Sequence, residues 1–143
     1  MARGAVLAVD LGEKRTGFAV ADALRVSIEP LGPAREGEDG ALGRIAVLAG
    51  ERDLEAIVVG LPLGPDGDET PRSRAVVAFC ARLAERFPGV AIVTHDERYT
   101  TKEAEARLVA SGRTGKARKE AKDSWSAAVL LEDWLESGEP GLR

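Results

Sequence analysis

Residues Ala5–Val9 form an unbroken apolar run, and Asp10 stops it. A run rich in Val, Ala and Leu suits a strand packed on both faces, as at the centre of an α/β sheet. An ionised carboxylate at the end of such a strand is costly to bury unless something neutralises it. The chain therefore has to supply both a buried central strand and a partner for Asp10.

The next segments predict what surrounds that strand. Residues 4 to 10 and 15 to 21 read as two strands joined by a turn carrying Gly12, and VSIEPLGPA reads as a third short strand, which together make an antiparallel meander. In EGEDGALGRIAVLAGERD, Leu42, Ile45, Leu48 and Ala49 fall at amphipathic helical spacing despite two interior glycines. The short apolar run EAIVVG is a buried strand, and the loop LPLGPDGDE leads to Thr70-Pro71, an N-cap followed by proline at the first helical position. That helix runs to about Phe87. After the Pro88-Gly89 turn, VAIVTHD predicts another buried strand, leaving Glu97 at its exit, and Thr100 with Glu103 reads as a capping box for a third helix. A polar, glycine-containing connection, SGRTGKARKEAK, precedes a last helix from about Lys119 to Glu136. A meander followed by alternating helix and strand predicts a mixed sheet with helices on its faces.

Composition bounds the remaining possibilities. With 143 residues and 44% hydrophobic content, the chain has the size of one domain spanning 1–143, with residues 138–143 expected to fray. Twenty Lys and Arg against 24 Asp and Glu give a net charge of −4, so any contact with nucleic acid has to come from a local patch. The densest such patch is Arg107, Arg113, Lys116, Arg118, Lys119 and Lys122, interrupted only by Glu120. The single cysteine, Cys80, excludes an internal disulfide and reads as a small buried hydrophobe, which fits a reducing cytoplasm. No apolar run approaches the roughly 20 residues that a membrane span needs.

Three acidic residues stand out by position. Asp10 ends the first strand, Glu97 follows a later one, and Asp123 opens the last helix, where Asp123, Ala127, Leu130 and Trp134 fall on one stripe and place the aspartate toward the protein. In open α/β sheets, ligands gather outside the carboxyl ends of the strands. Three carboxylates held there would repel one another unless hard divalent cations lay between them, and oxygen-only donors select Mg²⁺ or Mn²⁺. Plainer readings stand beside this one: an ion pair of Asp10 with Arg15, and Asp123 as a simple helix N-terminal residue. One His and one Cys do not build a zinc site, and His95, near a strand end, reads as a hydrogen-bonded or exposed residue.

Four segments, VDLGEKRTGFAVAD, VVGLPLGPDGDETPR, DERYTT and KDSWSAAVLLEDWL, in this order and spacing, resemble the YqgF/RuvX family of Holliday junction resolvases and pre-ribosomal-RNA nucleases. The resemblance covers nearly the whole chain; Trp125 is one departure and leaves the neighbouring carboxylate in place. It implies an RNase H-like α/β fold, a five-stranded mixed sheet with its first three strands antiparallel and helices on its flanks. It also implies two-metal hydrolysis of phosphodiester bonds with Mg²⁺ or Mn²⁺, carried by Asp10, Glu97 and Asp123. Nucleic acid, RNA or branched DNA, is then the partner, with Lys14, Arg15, Arg72, Arg113, Lys116, Arg118 and Lys119 as candidate phosphate contacts. A cytoplasmic monomer or homodimer away from any membrane is expected. A non-catalytic nucleic-acid-binding or RNA-maturation factor with the same fold is the alternative. Half of an actin-like ATPase would need a second related domain, for which this length leaves no room.

Overall fold

Strand β1, Ala5–Asp10, has Val6, Leu7, Ala8 and Val9 fully buried, as the apolar run requires of a central strand. A computed structural model describes residues 3–99, 101–115 and 122–142. β1 pairs antiparallel with β2, Arg15–Ala21, which pairs antiparallel with β3, Ile28–Arg35. On its other side β1 runs parallel to β4, Leu54–Leu61, and β4 parallel to β5, Ala91–Asp96. The order is β3-β2-β1-β4-β5, a five-stranded mixed sheet whose first three strands form the expected meander. Pro30 and Pro33 lie on β3, where an edge strand tolerates the missing N–H.

Because side chains alternate across a strand, each face of the sheet has its own core. Leu7, Val9, Phe18, Ile57 and Val59 meet helices α1, Gly37–Glu51, and α2, Pro71–Arg86. Val6, Ala8, Ala19, Ala21 and Val58 meet α3, Lys102–Ser111, and α4, Trp125–Glu136, with Trp134 wholly enclosed among them. The N-terminus of α2 forms as its sequence dictates: Thr70 Oγ1 accepts from Ser73 N at 2.9 Å, Ser73 Oγ accepts from Thr70 N at 2.8 Å, and Pro71 fills the first helical position. α3 is capped by Thr101, one residue beyond the expected Thr100. Cys80 is half-buried, and its burial pushes the thiol up to about 11, which leaves it inert at neutral pH.

α4 starts later than the periodicity predicts, at Trp125 instead of about Lys119, so Asp123 lies in the turn before the helix and not in its first turns. The reason is local: Ser124, buried at the N-cap position, spends its hydroxyl on the sheet, which fixes this turn against β2 and β3.

Candidate active site

The α3/α4 face of the sheet carries one row of residues that decides the site. On β2, β1 and β4 this row is Gly17, Asp10 and Gly60: Gly17 pairs with Asp10, and Gly60 follows Val59, the partner of Val9. Asp10, at the carboxyl end of β1, is thus flanked by two residues without side chains. The space above each glycine is taken. A Cβ at Gly60 would lie 2.8 Å from Cγ and 2.9 Å from Cδ of Glu97, so the Glu97 side chain lies across β4. A Cβ at Gly17 would lie 2.5 Å from the carbonyl oxygen of Asp123 and 3.1 Å from Cα of Ser124, so the turn before α4 rests directly on β2.

Glu97 opens the single 3₁₀ turn Glu97–Tyr99 that follows β5, which aims it back over the sheet. There it meets Asp10. Burial pushes the Glu97 carboxyl up to about 7, the negative charge of Asp10 and a hydrogen bond to it add to the rise, and the Arg72 guanidinium opposes it. Asp10, Glu97, Ser126 and Leu130 line a small cleft of about 120 Å³ between the sheet and α4. Arg72, near the start of α2, donates to the carbonyl of Leu11 at 2.8 Å and so brings a cation to the same edge.

The third expected carboxylate is placed differently. Asp123 is exposed, not turned into the protein, and its Oδ1 accepts from Arg15 at 2.9 Å. Its backbone lies beside the strand that pairs with Asp10, yet among the described residues no three His, Cys, Asp or Glu side chains stand close enough to hold one ion. Asp10, Glu97 and Arg72 are brought together, Arg15 and Asp123 form a second pair next to them, and Lys14 is exposed on the β1–β2 turn.

Arg113, expected as a phosphate contact in the basic segment, is paired within the fold. It donates to Glu132 at 2.6 Å and lies 3.8 Å from Glu136, both on α4. Arg107 is likewise bound to Asp133 at 3.0 Å, whose other oxygen lies 2.6 Å from His95 Nε2. The only histidine therefore serves the packing of β5 against α4. Lys116, Arg118 and Lys119 lie outside the described residues.

Beside the site, Arg98 grips Asp96 through Nε at 2.9 Å and Nη2 at 2.6 Å and donates to the carbonyl of Pro65 at 3.1 Å, tying the 62–70 loop to the end of β5. The Arg98 hydrogen bonds hold the Asp96 carboxyl below the usual carboxylate range. Gly17 and Ser124 carry no motif of their own in the sequence, and Gly60 reads there only as the start of a loop. Glycines inside otherwise β-branched strands signal the close approach of another segment, and that signal was present in RTGFAVA and LEAIVVGL.

Comparison with known proteins identifies the family and the fold. A protein of Dechloromonas aromatica named "Putative pre-16S rRNA nuclease" is 38% identical over 135 residues, covering 94% of this chain and 92% of its own. One of the same name from Anaeromyxobacter dehalogenans is 41% identical, covering 94% and 98%. Among solved structures, T. thermophilus RuvC in complex with Holliday junction substrate superposes with a TM-score of 0.56 at 15% identity, over 94% of this chain and 96% of that one, which identifies the RNase H-like fold. A family model described as RuvX, Holliday junction resolvase, matches residues 4–137, and the chain belongs to that family.

Proposed function

We propose that this chain is a metal-dependent nuclease that hydrolyses phosphodiester bonds, in the 5′-end processing of pre-16S rRNA or on branched DNA such as Holliday junctions. The observation that carries the reading is the Asp10–Glu97 pair, two hard oxygen donors pressed together over a glycine at the carboxyl edge of parallel strands, at a cost, from burial first and from the charge of Asp10 second, that raises the Glu97 pKa to about 7. A divalent cation relieves that cost, and the donor chemistry fits Mg²⁺ or Mn²⁺. Asp10 and Glu97 would hold it, with Asp123 completing the set once its carboxylate turns from Arg15. Such ions, two in this reading, supply an activated water and charge for the leaving oxygen.

The chain's own residues do the rest. Asp10 and Glu97 fix where charge is bound. Arg15 and Lys14 on one side and Arg72 on the other present cations to a phosphate backbone passing over the cleft. Lys116, Arg118 and Lys119 add positive charge in the segment that leads to Asp123. No helix among the described residues is long and apolar enough to cross a membrane, and the protein is read as a cytoplasmic monomer or homodimer.

A second reading, a nucleic-acid-binding or RNA-maturation factor without turnover, is favoured by one observation: Asp123 is bound to Arg15 and stands apart from the other two carboxylates. Cleavage assays on matched RNA and four-way DNA, with Mg²⁺, with Mn²⁺ and with chelator, separate the two. The nuclease reading requires metal-dependent cleavage that Asp10→Asn abolishes while the protein stays folded. Tight binding with no cleavage under any of these conditions selects the second reading.

A further inference from the structure

Ser124 is 1% exposed, and its side chain makes two hydrogen bonds, neither to its own helix. Its Oγ accepts from Phe18 N of β2 at 3.0 Å and donates to the carbonyl of Leu31 of β3 at 2.6 Å. Phe18 and Leu31 are partners in the β2–β3 ladder, at the point where its register shifts between Thr16 and Phe18. The serine hydroxyl thus relays one ladder hydrogen bond, standing between two strands where donor and acceptor would otherwise be buried unpaired. A serine at an N-cap normally satisfies the N–H groups of its own helix. Here α4 has no side-chain cap, and the hydroxyl is committed to the sheet instead.

This arrangement fixes a point in the chain one residue from Asp123. The same turn sits on Gly17, the residue paired with Asp10. Two independent features, a hydroxyl inserted into the ladder and a missing Cβ beneath the turn, therefore hold the Asp123 backbone at one distance from Asp10. We propose that Ser124 is the positioning residue of the metal site, holding Asp123 in reach of the Asp10–Glu97 pair. This rests on the metal-site reading above. Asp123 has only two side-chain torsions with which to exchange Arg15 for a cation, so a displaced backbone would put the carboxylate out of reach.

The test compares Ser124→Ala, Gly17→Ala and a core truncation on the opposite face, Leu83→Ala, with the parent protein. Leu83, on α2, is fully buried in the core of that face. Calorimetric titration with Mn²⁺ measures the affinity of the free protein, and cleavage kinetics measure kcat and KM. Ser124→Ala and Gly17→Ala should each weaken Mn²⁺ binding about 10-fold or more, as losses of supporting hydrogen bonds around metal ligands do. Their kcat should fall with KM within about twofold, because phosphate contacts at Lys14 and Arg72 are untouched. Leu83→Ala should lower the melting temperature and yet bind Mn²⁺ as the parent does. If the parent binds Mn²⁺ and both site variants bind it equally well, or if Leu83→Ala weakens binding as much as they do, the positioning role is overturned and the metal site stands. A parent that binds no Mn²⁺ overturns the metal-site reading and this inference with it. Should Ser124→Ala fail to fold, Gly17→Ala decides the outcome alone.

Discussion

Replacing Glu97 with Gln tests the electrostatics of the site without any metal or substrate. The native carboxyl keeps its proton to about pH 7 against an ordinary value of 4.5. Folding therefore takes up a proton between those limits, and the stability this contributes is complete below pH 4.5 and lost as the pH rises through 7. At about 1.4 kcal/mol for each tenfold change in proton affinity, a fully enclosed group would give about 3 kcal/mol. Glu97 is only partly buried, and screening by water reduces this to about 1–2 kcal/mol. Gln is neutral at every pH and nearly isosteric. In chelator at pH 4 the Gln variant and the parent should melt together; at pH 8.5 the variant should be the more stable by about 1–2 kcal/mol, about 3–8 °C for a chain of this length. Arg72→Met should move the crossover to higher pH, because Arg72 opposes the rise. A melting difference that is the same at both pH values, or a variant that is less stable at pH 8.5, would refute the claim that Glu97 and Asp10 confront each other across Gly60.

Other perturbations have separable outcomes. Gly60→Ala puts a Cβ into the Glu97 side chain, so cleavage should be lost while the melting temperature stays within a few degrees of the parent, since the far end of a side chain yields more easily than backbone. Arg25, buried at the far end of the sheet, donates to the carbonyl of Gly4 at 2.7 Å, to Glu55 at 2.9 Å and to Glu139 at 3.1 Å; Arg25→Met removes the buried cation that joins these two carboxylates and should cost about 3–5 kcal/mol in denaturant unfolding, with cleavage at low temperature retained. Arg15→Ala should lower the slope of log affinity against log salt by about 0.9 on duplex DNA, and Lys116, Arg118 and Lys119 changed together to Ala by up to about three times that; an unchanged slope in the triple variant would confine phosphate contact to Lys14, Arg15 and Arg72.

What the sequence made legible follows from the range over which each signal acts. The meeting of Asp10 and Glu97 at one edge is legible because a period of two and a strand end are local features, and parallel neighbours bring their ends together. The start of α4 is not legible: helical spacing continues through Asp123 and the residues before it, which puts the expected start near Lys119, six residues before Trp125. The hydroxyl that fixes the actual start is bonded to Phe18 and Leu31, 106 and 93 residues away. Arg113 reads as a phosphate contact because its neighbours in sequence are basic and polar. Its partner was announced elsewhere, by Glu132 and Asp133 inside the apolar stretch AAVLLEDWL, since acidic residues on a buried helix face demand cations from the element packed against it.

The same distinction explains how the site is built. A carboxylate at the end of a buried strand is readily specified, because the apolar run before it fixes both its height and its face. Bringing two more carboxylates to it from distant segments requires room above the neighbouring strands, and a pleated sheet ordinarily fills that room with side chains. Gly17 and Gly60 remove them on either side of Asp10, so the 97 side chain crosses one neighbour and the 123–124 backbone rests on the other. The two approaches differ in stiffness. Glu97 arrives by a flexible side chain, and its position answers to charge, whereas Asp123 arrives by backbone anchored through Ser124 and turns only at its side chain. A substitution at Gly60 should therefore be offset by a cation strong enough to draw Glu97 around the new methyl, so that raised Mn²⁺ restores part of the cleavage lost in Gly60→Ala. The matching loss in Gly17→Ala should resist any concentration of Mn²⁺ that the fold tolerates, and equal rescue of the two variants would show that both carboxylates are held by side-chain freedom alone.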